Sequence, residues 1–124
     1  MSHIRGKNTV PELLVFAYLR KNKIYFQRHY RTKSGIRLDI AKPRKKLAVM
    51  IDGDFWHGRN YERRKPKLNE FWQNKLETNL ARDEKQRRML EDEGWKLCRV
   101  WESDLKRKST QATVLESVVS FLSG

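Results

Sequence analysis

The apolar positions of this chain fall into short, separate groups, and their spacing sets the elements. Leu47, Ala48, Val49, Met50 and Ile51 form an unbroken run too short for a stable helix, as expected of a strand buried on both faces. Before it, Phe26, Arg28 and Tyr30 alternate with Tyr25, Gln27 and His29, which predicts a half-exposed strand over 24–31. Thr32-Lys33-Ser34-Gly35 marks a turn, and a second strand follows over 36–41, with Ile36, Leu38 and Ile40 on one face and Arg37 and Asp39 on the other. Strands joined this closely should pair antiparallel. In a twisted pair, Asp39 would share a face with Ala48, Met50 and Asp52. Residues 95–101 alternate again, Trp95, Leu97, Arg99 and Trp101 against Lys96, Cys98 and Val100.

Helical spacing recurs in three places. Leu13, Leu14, Ala17 and Tyr18 predict a helix over 10–22 with one buried stripe, started by Thr9 as cap, Pro11 in the first turn and Glu12 at the capping-box position. Leu68, Trp72, Leu76, Leu80 and Leu90 predict a long helix over 68–93 that Gly94 stops. Beside that stripe Asn79 and Asp83 lie one turn apart and project together. Val114, Leu115, Val118, Val119, Phe121 and Leu122 predict a closing helix over 110–122, after a short turn at 102–105. This order gives an α/β fold, a mixed sheet flanked by helices, whose last strand is reached through a right-handed parallel crossover. Without repeats or a linker, 124 residues are expected to make a single domain, 1–124.

Charge changes the picture. Lys and Arg number 28 against 15 Asp and Glu, a net +13, which is the footprint of a protein that binds a polyanion such as nucleic acid. Arg5 and Lys7 in the polar N-terminal arm are candidate phosphate contacts, as are Arg59, Arg63 and Arg64 in the basic loop after Gly58. The single cysteine, Cys98, excludes an intrachain disulfide and a cysteine-based zinc site. No signal peptide is visible and no apolar run approaches the length of a membrane span, so a cytoplasmic, nucleoid-associated protein is expected.

The chemistry gathers at the end of the apolar strand, which delivers Asp52, Asp54 and His57 from a rigid element. Asp-Gly-Asp alone also fits a polar turn. Asp39 and Asp52, with a backbone carbonyl, are oxygen ligands of the kind a hard divalent cation takes. His57 titrates where a group that deprotonates water near neutral pH must, and Asp83 could hold it in one tautomer. With the charge, these residues point to a metal-dependent nuclease; a non-catalytic nucleic-acid-binding module would use the same basic surface.

Several blocks carry a family resemblance: Ser-His-Ile-Arg-Gly-Lys-Asn-Thr-Val-Pro-Glu-Leu-Leu over 2–14, Leu38-Asp39-Ile40, Asp52-Gly53-Asp54-Phe55-Trp56-His57-Gly58, Glu70-Phe71-Trp72, Asn79-Leu80-Ala81-Arg82-Asp83 and Gly94-Trp95 through Val100-Trp101-Glu102. In order and spacing the chain resembles the very short patch repair (Vsr) endonucleases, and also the phage homing endonucleases with the same core and the pattern Glu, Asp, variable, His, Asp. The resemblance implies a restriction-endonuclease-like PD-(D/E)xK fold and Mg²⁺-dependent cleavage of double-stranded DNA, with Mn²⁺ as a substitute. By position, Glu12 matches the family's helix glutamate, Asp39 its metal-binding aspartate, His57 its catalytic histidine and Asp83 its final aspartate. Asp52 stands where the family usually has a histidine and would ligate metal directly, while Ile51 matches a position whose backbone carbonyl contributes to the metal. Phe55, Trp56 and Trp72 match aromatics that wedge into the base stack, although packing also explains Trp72; Lys75 and Asn79 complete the expected DNA-contacting set. The positions that hold a structural zinc in the family are Asp54, Arg59, Tyr61 and Ser103 here, so no zinc is expected. The N-terminal segment is also shorter than in the patch repair enzymes, which leaves thymine–guanine mismatch specificity open beside a homing or selfish-element role.

Overall fold

The computed structural model describes residues 9–124, so Arg5 and Lys7 lie outside the described residues. The elements run α1 (Val10–Lys21), β1 (Gln27–Arg31), β2 (Arg37–Lys42), β3 (Leu47–Asp52), α2 (Tyr61–Arg64) with a 3₁₀ turn at Lys65–Lys67, α3 (Glu70–Asp92), β4 (Lys96–Trp101), α4 (Glu102–Lys106) and α5 (Lys108–Ser123). The strands lie in the order β1-β2-β3-β4, the first three antiparallel and β4 parallel to β3. The apolar run is therefore an inner strand, covered on both faces. Ile40, Val49, Ile51 and Val100 pack with α1, α4 and α5 on one side, and Leu38, Ala48, Met50 and Leu97 meet Leu90 of α3 and Trp95 on the other.

Two periodicity readings change. The buried stripe of α1 is Glu12, Val15, Phe16 and Leu19, while Leu13 is 46% exposed and Ala17 lies outside. Residues 13–19 are apolar on every side of the helix, so spacing alone could not choose the face; the closing helix α5 and the sheet did. Thr9 does cap α1, but through the backbone N–H of Glu12 at 3.5 Å. The Glu12 side chain is turned inward.

The second change concerns β2. Ile36 and Leu38 face α3, whereas Ile40 faces α1 and α5. The β2–β3 pairing holds from Lys42–Leu47 to Ile40–Val49, and beyond it the Asp39 carboxylate accepts the Ile51 N–H at 2.7 Å. A side chain thus takes over from the backbone ladder, and the strand changes face there. Asp39 reaches along the sheet to β3 instead of standing on a face with Ala48 and Met50. In β1 regular alternation also fails. The strand starts only at Gln27, Ile24 and Phe26 pack into the core beside it, and His29 adopts a left-handed φ of 51°.

Candidate active site

Three elements converge on the C-terminal end of β3. The strand supplies Asp52, the loop after it His57, and α3 supplies Asp83. His57 Nδ1 lies 2.7 Å from an Asp83 oxygen, and Nε2 lies 3.5 Å from Asp52 Oδ1. With Nδ1–H donated to Asp83, the ring is fixed in the tautomer that leaves Nε2 free to take a proton. Burial by itself would lower the pKa of His57, but the Asp83 hydrogen bond and the charges of Asp52 and Asp83 outweigh it and raise it above the ordinary imidazole value. The ring borders a cleft of about 330 Å³ lined also by Met50, Leu80, Leu97 and Arg99.

Asp39 is the second centre of the site. Burial pushes its pKa up to about 7, assisted by the charges of Glu12 and Asp52 and opposed by the Ile51 hydrogen bond. Asp52 is raised as well, chiefly by burial. Asp39 and Asp52 are both buried carboxylates, and the Asp52 charge helps to raise Asp39, so their oxygens could serve as ligands for a cation. Among the described residues, no three His, Cys, Asp or Glu side chains close a complete metal cage.

Two residues in this neighbourhood escaped sequence reasoning. His29 Nε2 is 3.1 Å from Glu12 Oε1, with Glu12 buried and the His29 ring edge-on to Phe16. The alternation of β1 grouped His29 with Tyr25 and Gln27, and no pattern in the sequence announced its left-handed backbone. Arg99 is the other: its Nε lies 2.8 Å from Asp52 Oδ2 and its Nη2 3.8 Å from Asp83 Oδ2. Its only signal was that β4 alternation put it on the face of Trp95 and Leu97; that this face abuts Asp52 depends on the parallel register Met50–Arg99.

The loop over 53–60 winds through successive turns, closed by His57 N–H to the Gly53 carbonyl and Arg59 N–H to that of Asp54. Gly58 sits at φ 70°, where a Cβ would come within 2.7 Å of Leu80. Its outer end is tied to α4. Asp54 accepts the Ser103 N–H at 3.0 Å and the Ser103 hydroxyl at 2.6 Å, and so caps that helix from outside. Arg59 joins Asp54, Ser103 and Asp104, each within about 3 Å.

Several residues expected on DNA have partners in the fold. Arg59, expected on phosphate, is shared between two carboxylates, because the loop brings Asp54 and Asp104 to either side of it. Asn79 is buried and donates to the Trp56 carbonyl at 3.0 Å, so it fastens the loop. Arg64 donates to the Arg59 carbonyl and stacks on Phe55. Arg63 and Lys75 are exposed. Phe55, Trp56 and Trp72 make one aromatic group with ring centroids 5.2–5.8 Å apart, and Phe71, unforeseen in this role and 64% exposed, extends it. Tyr61, matched by position to a zinc ligand of the family, donates its hydroxyl to Glu77 at 2.6 Å.

Comparison with known proteins gives a consistent picture. The family model described as DNA mismatch endonuclease Vsr matches residues 1–63. The type II nicking enzyme V.HpaIIP of Haemophilus parainfluenzae is 36% identical over 104 residues, 82% of this chain and 73% of that protein. V.NmeDIP of Neisseria meningitidis serogroup C, also a type II nicking enzyme, is 35% identical over 116 residues, 89% and 76% of the two chains. Among solved structures, the catalytic domain of the homing endonuclease I-Bth0305I superposes with a TM-score of 0.64 at 18% identity, covering 92% of this chain and 94% of that one. The fold is thus restriction-endonuclease-like.

Proposed function

Because the chain belongs to the Vsr family of DNA endonucleases, we propose that it cuts one strand of double-stranded DNA with the help of a divalent cation, Mg²⁺ in the cell, as a mismatch-directed nickase. The observation that carries this reading is His57 held by Asp83 at 2.7 Å beside the buried pair Asp39 and Asp52. Two carboxylates without a full cage suit Mg²⁺, which binds through one or two of them and keeps the rest of its shell for water and phosphate. Asp39, Asp52 and the Ile51 carbonyl would hold it, and when bound it supplies charge neutralisation at the phosphate and a more acidic water.

The protein's own groups do the rest. His57 Nε2 takes the proton of the attacking water, and Asp83 holds the ring in the required tautomer and stabilises the imidazolium. Glu12, fixed by His29, supports the water beside Asp39. Phe55, Trp56 and Trp72 present aromatic faces to the base stack, and Arg63, Lys75 and the arm residues Arg5 and Lys7 meet phosphates. The loop ties through Arg59 and Asp54 do the bracing for which related enzymes use zinc. The whole of 1–124 acts as one catalytic domain, working in the cytoplasm where the chromosome lies; no helix among the described residues is long and apolar enough to cross a membrane.

Nicking of supercoiled plasmid in Mg²⁺ tests the chemistry. His57→Ala and Asp39→Ala are each expected to slow it by about 10²-fold or more, and full activity in either variant would falsify the assignment. The second reading is a homing or selfish-element endonuclease that cuts a matched target, supported by Glu12, Asp39, His57 and Asp83 standing in the order Glu, Asp, variable, His, Asp. Paired duplexes with and without a mismatch separate the two: one-strand cutting confined to the mismatched member supports the nickase.

A further inference from the structure

Arg99 is a cation beside Asp52 and Asp83, as Arg37 is near Asp39, and the reaction described so far gives it no task. It is 42% exposed on its side chain and borders the same cleft as His57. Arg87, which also lines that cleft, is held by Glu84 and Glu91 on α3. Arg99 instead grips Asp52 through Nε, and its Nη2 stands 3.8 Å from Asp83. A guanidinium has five donors in a rigid fork, so one bond to Asp52 leaves others for a second oxyanion. Its plane also has a support: Cζ lies 5.1 Å from the Trp101 ring centroid, and Arg59 lies 5.3 Å from the same ring. The indole can therefore keep the guanidinium in place when its partner changes.

Charge gives this arrangement a direction. Arg99 occupies Asp52 Oδ2, so a divalent cation on the same carboxylate would have to share its single negative charge with the guanidinium, and each weakens the other's hold. Asp39, Asp52, Asp83 and Glu12 also make the site a poor host for a phosphodiester unless a donor in the cleft meets its negative oxygens. We propose that Arg99 is a further catalytic residue: it holds Asp52 until the metal arrives and then donates to a non-bridging oxygen of the scissile phosphate. This rests on the assignment of Asp39 and Asp52 as metal ligands.

The test measures metal binding and cleavage separately. Mn²⁺ affinity is determined by titration calorimetry without DNA, for wild type, Arg99→Ala, Arg99→Lys and Asp39→Ala, each checked for folding by circular dichroism. Single-turnover nicking is then followed at saturating Mn²⁺. Arg99→Ala is expected to bind Mn²⁺ at least about fivefold more tightly, because a competing cation has gone, yet to nick about 10²–10³-fold more slowly. Arg99→Lys keeps the charge and should bind Mn²⁺ like wild type while recovering part of the rate. Should Arg99→Ala bind Mn²⁺ equally or more weakly, or nick at the wild-type rate, the proposal is overturned and Arg99 merely orients Asp52. If Arg99→Ala does not fold, wild-type nicking in Arg99→Lys overturns the guanidinium's role by itself. Mn²⁺ binding that survives Asp39→Ala would instead overturn the metal assignment, and the Arg99 proposal with it.

Discussion

At the scale of single residues, Asp39 shows how the fold holds a functional group at a cost. Its carboxyl is 8% exposed, receives one backbone N–H and lies near two other carboxylates. In the unfolded chain it ionises near 3.8, in the folded metal-free protein near 7. The folded state therefore binds the proton more tightly, so this contribution to stability is complete below about pH 4 and is lost as pH rises towards 7. At neutral pH the loss amounts to as much as about 4 kcal/mol. His57, also raised, changes stability in the same direction as it loses its proton. Urea melts in EDTA should accordingly show less stability at pH 8 than at pH 5, with the difference reduced in Asp39→Asn and the remainder left to His57 and Asp52. Added Mg²⁺ should restore stability at pH 8, where the ionised pair binds it best. A metal-free protein whose Asp39→Asn variant kept the wild-type pH dependence would place the effect elsewhere.

At the scale of elements, the loop over 53–60 is held at three points, two on α3 and one on α4. Asn79 of α3 bonds the Trp56 carbonyl, Leu80 packs against Gly58, and Asp54 with Arg59 anchors the far end to α4. Removing one anchor should disturb geometry more than folding. Arg59→Ala is expected to lose about 1–2 kcal/mol of stability but to lower kcat by about 10-fold or more with a smaller change in KM, since misplacing His57 by a fraction of an ångström weakens only the transition state. A zinc chelator should leave the melting temperature of wild type unchanged; a drop of several degrees would show that metal, not Arg59, braces the loop. This anchoring was only partly visible beforehand. The buried strand could be read from the apolar run, a local periodicity, whereas Asp83 beside His57 was expected from what a water-activating imidazole needs and from the family pattern, not from spacing. The partners of Arg59 could not be read: Ser103 and Asp104 lie more than forty residues away, and the parallel pairing of β3 with β4 decides that they meet. The same holds for Arg99; Glu12 was expected at the site from the family pattern, but its contact with His29 of β1 was not.

For the whole molecule, the excess of 28 basic over 15 acidic residues governs association. Several of those cations are spent inside the fold, Arg59 and Arg64 among them, so a formal charge overstates what a duplex meets. Exposed Arg63 and Lys75, with the basic residues around them, remain available to phosphates, and about six such contacts set the expectation. The Kd of Asp39→Ala for duplex DNA, measured by anisotropy, should then rise about 10³-fold or more between roughly 50 and 200 mM salt, with a log–log slope of about −5 or steeper. A slope near −2 would mean that most of the basic surface faces away from the duplex. Net charge foretold the class of partner because it needs no geometry, whereas the place where DNA is cut rests on contacts between distant segments. The parallel crossover has a last consequence, in time. Glu12, Asp39, Asp52 and His57 all leave the ribosome before Asp83, Arg99 and α5, which covers the sheet face opposite α3. At about 5–20 residues per second the chain spends seconds holding acid groups and a histidine without the helix that orients them. A chain that stops before α3 and β4 is therefore expected to carry the Asp52–His57 motif without Asp83 and Arg99, and so without nicking activity.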